Sequence, residues 1–445
     1  MINKKKLCLI TLVSIIMVLM LISITDAAPF AHIKNNSNKT TFTPHLVNNA
    51  IIATINVEDT PVGIAVSPDG KKIYVMTQSR DDSFDGNVSV INTATNTVIA
   101  TVPLGDRDLH EIAVSPDGTK VYVTCYIDND TDNFVSVIDT RNNTVIATVP
   151  EGVSNGIAVT PDGKKVYVTD YYKHSVSVID TATNTVTATV PVGRYPNRIV
   201  VSSDGTKAYV VGKRVSVINT KTNTVTAKVT GLSSPNKIIV NPTGTKMYLT
   251  DYSNNNVYVV STKTNTVIAT VPIGAQPKEI AANPTGTIVY VMNGNNVSVI
   301  NTKTNTVTDT VNVGVNPSAI AIAPDGTKVY VVNQGTFDIP GNSVSIIDTK
   351  TNTVADTVNV GVNPNAIAIA PDGTQVYVAN TGTYDIPDNI VSVIDTSTNT
   401  TEVSNSDSHK LSSSKTKASL IKHKHKNHSK HHKTGKNYSE KRIIR

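Results

Sequence analysis

Three features of the 445-residue chain predict an all-β fold, a β-propeller of four-stranded antiparallel blades. The first is a glycine turn that recurs eight times, at Gly70, Gly118, Gly163, Gly205, Gly244, Gly286, Gly326 and Gly373, spaced by 48, 45, 42, 39, 42, 40 and 47 residues. That period matches one propeller blade. The second is a tyrosine at one fixed place in every repeat: Tyr74, Tyr122, Tyr167, Tyr209, Tyr248, Tyr290, Tyr330 and Tyr377. The third lies at the ends of the array. Ile51-Ile52-Ala53-Thr54-Ile55 reads as a fourth strand without three predecessors, and Val391-Ser392-Val393-Ile394 as a third strand without a successor. The N-terminal strand should therefore complete the last blade and close a ring of eight, covering edges that would otherwise stay open. Thr401-Glu402-Val403 could compete for that place, which leaves a seven-bladed ring with one irregular repeat as the alternative.

The first repeat shows why each element forms. GIAV (63–66) is a short apolar strand and SPDG (67–70) a turn. Proline presets φ, aspartate closes the turn through its side chain, and glycine takes positive φ. KIYVMT (72–77), NVSVINT (87–93) and TVIATVPL (97–104) alternate or run apolar, as half-buried and buried strands do. ATNT (94–97) supplies the turn between the last two. One such sheet cannot cover both faces, and stacking sheets around an axis solves this. The eight tyrosines are expected to pack between blades, each hydroxyl reaching a polar edge.

The chain opens with Lys4-Lys5-Lys6, an apolar run over 7–24 and Thr25-Asp26-Ala27-Ala28. A charged start, an apolar stretch and small residues read as a secretory signal over 1–28. The run also approaches the length of a membrane span, so an uncleaved anchor stays open. Either reading exports the remainder of the chain. Residues 29–50 read as a flexible segment and 51–403 as the propeller. Cys8 lies in the leader, which leaves Cys125 alone and no internal disulfide beyond it. Cys125 reads as a small buried strand residue rather than a nucleophile.

Residues 404–445 carry ten lysines, two arginines, Asp407 and Glu440, a net charge of +10. The whole chain is at +6, and with +2 on residues 1–28 the stretch 29–403 is left acidic at −6. KHKHKNHSKHHK (422–433) should be disordered. Its lysines repel a metal cation, so the tail is expected to bind an anionic surface electrostatically. Nucleic acid is not expected as a partner of an exported chain.

The phrases YVT (122–124, 167–169), VSVIDT (135–140) and ATNTV (182–186) resemble the YVTN-family β-propeller repeat of archaeal and bacterial surface-layer and other exported proteins. The resemblance covers about 51–400 and implies a surface-exposed propeller; family propellers are often seven-bladed, from which eight repeats depart. It implies no reaction, because the fold hosts many functions. Related propellers include subunits of quinoprotein amine dehydrogenases, nitrous oxide reductase and lactonases. A copper cluster needs several inward histidines, whereas the propeller holds only His110 and His174. A haem-attachment cysteine pair is missing from the sequence. Arg107, His110 and Glu111 form the one local cluster of a lactonase-like kind, and read as a solvated loop.

Repeats that agree report on folding, so a specific function should sit where they differ. Four second-to-third-strand connections are long and acidic: RDDSFDGN (80–87), IDNDTDN (127–133), TFDIPGN (336–342) and TYDIPDN (383–389). They belong to repeats one, two, seven and eight, which are contiguous in a closed ring. They should share a face with the fourth-to-first connections LGDRDLHE (104–111) and VGRYPN (192–197). The candidate binding residues are Asp81, Asp82, Asp85, Asp128, Asp130, Asp132, Asp338, Asp385, Asp388, Arg107 and His110, with Phe84, Phe134, Phe337 and Tyr384 interspersed. No cofactor is expected beyond calcium, a hard cation that suits the oxygen-rich loops of Asp81, Asp82, Asp85, Asp128, Asp130 and Asp132. Asn35, Asn38, Asn87, Asn129, Asn142, Asn296, Asn399, Asn427 and Asn437 head Asn-x-Ser/Thr triplets open to glycosylation. The expectation is a non-enzymatic binding or structural protein of the cell surface, its partner an envelope polymer, glycan or surface protein. The alternative is an enzyme or redox subunit of the quinoprotein or lactonase kind.

Overall fold

The structure is a computed structural model that describes residues 49–80, 85–126, 133–152, 154–274 and 276–397. The leader, most of the 29–50 segment, Thr401-Glu402-Val403 and the basic tail lie outside the described residues. Eight four-stranded antiparallel sheets form the eight blades of a propeller. Blade 1 is built from Thr60–Val66, Lys72–Gln78, Asp85–Asn92 and Thr97–Asp106. Blades 2 to 7 occupy 108–150, 157–191, 198–229, 235–272, 277–312 and 317–359. Blade 8 takes three strands, Pro364–Ile369, Gln375–Gly382 and Pro387–Asp395, and its fourth is Ile51–Asn56 from the other end of the chain. That strand pairs antiparallel with Pro387–Asp395, setting Ile55 opposite Val391. The first strands line the axis, and that of blade 8 packs against that of blade 1.

The core divides into eight clusters, each spanning neighbouring blades. Tyr74, Met76, Val88 and Val90 of blade 1 meet Val121, Val123 and Ile138 of blade 2. At the closing seam Ile55, Val57, Tyr377 and Val391 meet Ile73 and Val75. All eight repeat tyrosines are at most 1% exposed and are the largest of the fully buried side chains. Burial pushes the phenols of Tyr74, Tyr167, Tyr209, Tyr248, Tyr330 and Tyr377 up to about 12.

Their hydroxyls differ in a way that gives a test. Tyr167 donates to Asn223 Oδ1 at 3.0 Å in the next blade, whereas Tyr122 Oη is sealed without a partner. Tyr167→Phe should cost about 1 kcal/mol, and Tyr122→Phe should be neutral or stabilising, because an unpaired buried hydroxyl gains nothing from folding. Chemical denaturation of the two variants reads the difference. Equal losses would show that the hydroxyl of Tyr122 is satisfied.

The turns account for the rest of the repeat. In the first, Ser67 Oγ donates to Asp69 Oδ1 at 2.7 Å and accepts from the Lys72 amide at 2.9 Å. Asp69 also accepts from the Lys71 amide, and its hydrogen bond from Ser67 leads the causes that hold its carboxyl below the usual range. Gly70 sits at φ 70°, as the turn requires. The outer turns place Asn96, Asn143, Asn184, Asn223, Asn265, Asn305 and Asn352 at φ 52–56°, where asparagine is among the few side chains tolerated.

These turns also join the blades. Lys72 donates to Thr140 O and, at 3.2 Å, to Asn143 Oδ1 of blade 2. Lys120, Lys165 and Lys246 repeat the contact with Asn184, Asn223 and Asn305 at 2.9, 3.1 and 3.1 Å. At the seam Lys328 donates at 3.2 Å to Asn49 Oδ1, beside the closing strand.

Three residues after the repeat tyrosine stands a polar residue in six of the eight repeats. Asn293, Asn333, Asn380, Asp170 and Asp251 are buried there. Asn333 donates to Ser345 Oγ at 3.0 Å and accepts from the Gly314 amide, tying the third strand to the connection from the previous blade. Cys125 occupies this position in blade 2, buried against Ser136, and burial pushes its thiol up to about 11.

Candidate functional site

The long connections of blades 7 and 8 form two hairpins of one design. Thr336 N donates to Ile339 O at 2.9 Å, and Thr383 N to Ile386 O at 2.8 Å. The neck of each hairpin is a glycine. Gly335 and Gly382 have φ of 80° and 63°, and a Cβ on either would fall 2.0 or 2.3 Å from a backbone nitrogen across the neck. Asn316 and Asn363, in the connections that enter blades 7 and 8, each donate at 2.7 Å to the carbonyl of that glycine. The tips are thus held by their own backbone while their side chains stand free. Phe337 is 89% exposed, Ile339 77%, Tyr384 84% and Ile386 55%.

Between these hairpins and blade 1 lies a cleft of about 610 Å³, walled by Arg80, Asn316, Phe337, Asn363, Thr383 and Tyr384 among others. Arg80 reaches across it to Thr383 O and donates to Thr60 Oγ1 at 2.6 Å, so blade 1 is latched to the blade 8 hairpin. Both kinds of connection contribute to this cleft, so they share a face.

The four predicted acidic residues that are described take two kinds of position. Asp338 and Asp385 are exposed at the hairpin tips, and Asp85 is exposed at the start of its strand. Asp388 turns inward, where its carboxylate accepts from the Val362 amide. Burial pushes its carboxyl up, against the pull of that amide and of Arg80. Its position is that of a turn clamp. Asp81, Asp82, Asp128, Asp130 and Asp132, and with them Phe84, lie outside the described residues. Phe134 opens the strand Phe134–Asp139 and packs on the core, with Arg107 stacked 5.4 Å from its ring centroid, so it is not displayed.

LGDRDLHE is not a loop. The fourth strand of blade 1 runs to Asp106 and the first strand of blade 2 starts at Asp108. His110 and Glu111 therefore belong to an axial strand, and His110 meets the Tyr126 ring edge-on at 5.3 Å. Glu111 pairs with Arg198 of blade 4 across blade 3, and Lys237 of blade 5 pairs with Glu279 of blade 6. Burial pushes the Glu111 carboxyl up, opposed by Arg198 and Lys237. These charges line two axial cavities of about 420 and 340 Å³, which have Glu111 and Arg198 in common. The signal for them was present in the first strands. The residue before the central isoleucine is Gly63, Gly156, Ala319 or Ala366 in four repeats and Glu111, Arg198, Lys237 or Glu279 in the other four.

No protein-family model matches the chain, and no curated protein sequence matches it. Solved structures do. A Kuenenia stuttgartiensis hydrazine synthase chain is 19% identical, with 82% of this chain and 100% of that chain covered at a TM-score of 0.50. The dihydro-heme d1 dehydrogenase NirN in complex with DHE is 15% identical, with 79% and 78% covered at 0.59. The C-terminal WD40 domain of Sif2 is 14% identical, with 78% and 97% covered at 0.61. At such identities the likeness shows the fold. The protein belongs structurally to the β-propellers, a class that includes both enzymes and binding modules.

Proposed function

We propose that the chain is an exported, envelope-associated propeller of the YVTN surface-layer kind, a non-enzymatic binding or structural protein whose contact surface is the twin-hairpin face. The observation that carries this reading is the rigid display of Phe337, Ile339, Tyr384 and Ile386 in solvent, on two hairpins of the same sequence pattern. Exposing large apolar side chains is costly unless a partner covers them, and aromatic anchors dominate such contacts. The tips are fixed before binding, so little ordering entropy is lost on contact. The leader over 1–28 supports export, and the +10 charge of 404–445 supports adhesion to an anionic envelope.

Sedimentation with native envelopes tests the reading. Phe337→Ser with Tyr384→Ser should lower retention about tenfold without lowering the melting temperature, since neither side chain packs on the core. Undiminished retention would overturn the hairpin face as the contact. A stoichiometric chromophore or redox metal in the purified protein would overturn the non-enzymatic reading.

A further inference from the structure

We infer that the protein pairs face to face with a second copy of itself, the hairpins of blades 7 and 8 of each copy seated on blades 3 and 4 of the other. This rests on the reading of the hairpin face as a contact surface and names its partner.

The receiving surface lies on the same face, directly across the ring. In a closed ring of eight, blades 3 and 4 stand opposite blades 7 and 8. There the connection 192–197 carries Arg194-Tyr195, where the connections entering blades 7 and 8 carry Val315-Asn316 and Val362-Asn363. Beside it, the second-to-third-strand turn of blade 4 is Gly212-Lys213-Arg214. Lys213 N donates to Arg194 O at 2.9 Å, and Lys213 Nζ stands 5.5 Å from the Tyr195 ring centroid. Gly212 permits this approach, since a Cβ there would fall 2.5 Å from Arg194 O. Tyr195 holds φ at 57°, a left-handed conformation that Asn316 and Asn363 take readily and tyrosine seldom does. Strain of this kind clusters at functional positions.

Charge and shape select a copy of the chain as the occupant. Arg194, Lys213 and Arg214 are exposed, and among the described residues none of them is in an ion pair. Asp338 and Asp385 at the hairpin tips are likewise exposed and outside any such pair. Each tip sets an aromatic ring beside a carboxylate. The surface opposite sets Tyr195 and Tyr172, which is 65% exposed, beside three cations. The heights also match. The second strands of blades 7 and 8 have 8 residues each and that of blade 4 has 5, all starting two residues before the repeat tyrosine. The hairpins therefore project about 10 Å further than the blade 4 turn, at roughly 3.3 Å per residue.

Symmetry joins the two surfaces. A two-fold axis lying in the contact plane, perpendicular to the propeller axis, brings each side of the ring over the opposite side of its copy. Patches that face each other across one ring therefore meet in the pair, and both hairpins of both copies are covered at once. Two copies also bring two basic tails to an anionic envelope, which strengthens adhesion without a new contact.

Sedimentation velocity of the purified full-length chain tests the pairing. A closed dimer is expected, its affinity falling at least about tenfold between about 0.05 and 0.5 M salt. Lys213→Glu with Arg214→Glu should weaken it at least about tenfold, and so should Asp338→Lys with Asp385→Lys. Mixing these two variants should restore dimers, because opposite charges then meet at both contacts of the mixed pair. Phe337→Ser with Tyr384→Ser should dissociate the dimer as far, with melting unchanged. A monomer at every concentration, an open series of larger species, or a mixture no better paired than its components would overturn the pairing. If such a monomer still lost envelope retention with Phe337→Ser and Tyr384→Ser, the hairpin face would stand as a contact and only the copy would be refuted as its partner. A dimer whose hairpin variant dissociates yet stays on envelopes would uphold the pairing and refute the role of this face in adhesion.

Discussion

Deleting residues 49–57 is expected to abolish cooperative folding, whereas deleting 29–48 should leave the melting transition in place. The short segment closes the ring. Ile55 and Val57 are 4% and 7% exposed, and each is worth about 1.5–3 kcal/mol when buried. The strand also completes the backbone ladder of Pro387–Asp395. Asn49 adds hydrogen bonds to Lys328 and, at 2.9 Å, to Asp356 of blade 7. Together these contacts approach the whole net stability of an ordinary domain, about 5–15 kcal/mol. Without them blade 8 keeps three strands and the outer edge of Pro387–Asp395 is bare, a template for aggregation. Circular dichroism melts and sedimentation check the result. A 49–57 deletion that melts within a few degrees of the parent would mean that blade 8 is stable with three strands. A milder Ile55→Ala should cost about 2–5 kcal/mol by the same contacts.

The second large effect concerns Glu151, where a stabilising substitution is expected. Its position in the repeat is held by Leu104, Val192, Ile273, Val313 and Val360 in blades 1, 3, 5, 6 and 7. Glu151 is 7% exposed and its Oε1 has no partner. Burial pushes its carboxyl up to about 7, helped by Asp170 and opposed by Ser177 and Lys173. The folded state therefore prefers the protonated acid. Its contribution is fully present below about pH 4.5 and is lost as the pH rises through 7. At about 1.4 kcal/mol per tenfold, the rise from 4.5 to about 7 amounts to about 3 kcal/mol of instability at alkaline pH. Glu151→Val should raise the melting temperature by roughly 5 °C at pH 8, with a smaller gain at pH 5. Melting curves at the two pH values decide this. A variant less stable than the parent at pH 8 would show that the carboxylate is used there.

The repeat itself was legible because its chemistry is local. Pro68-Asp69-Gly70 forms a turn wherever it stands, and the sealed Tyr74 is the consequence of a strand apolar on both faces. The unpaired strand types at the two ends pointed to closure by the N-terminal strand and to eight blades rather than seven, and the ring has both. The hairpin face was legible in part. Phe337 and Tyr384 stood out as departures from the repeat, while Ile339 and Ile386 were hidden among ordinary apolar residues. Asp388 could not be told from Asp385 by sequence, since only the fold turns one carboxylate onto the Val362 amide and leaves the other in water.

By itself, then, the sequence determined the blades and favoured eight of them closed by the N-terminal strand, because turn chemistry and strand patterning act over a few residues; the ring decided between eight and seven. Tertiary structure decided which side chains meet. Glu111 and Arg198 are 87 residues apart and become partners only when the first strands are wrapped around one axis. LGDRDLHE looked like a solvated loop for the same reason. Its polar residues made sense in water, and nothing local said that the strand carrying them would line a channel opposite Lys237 and Glu279.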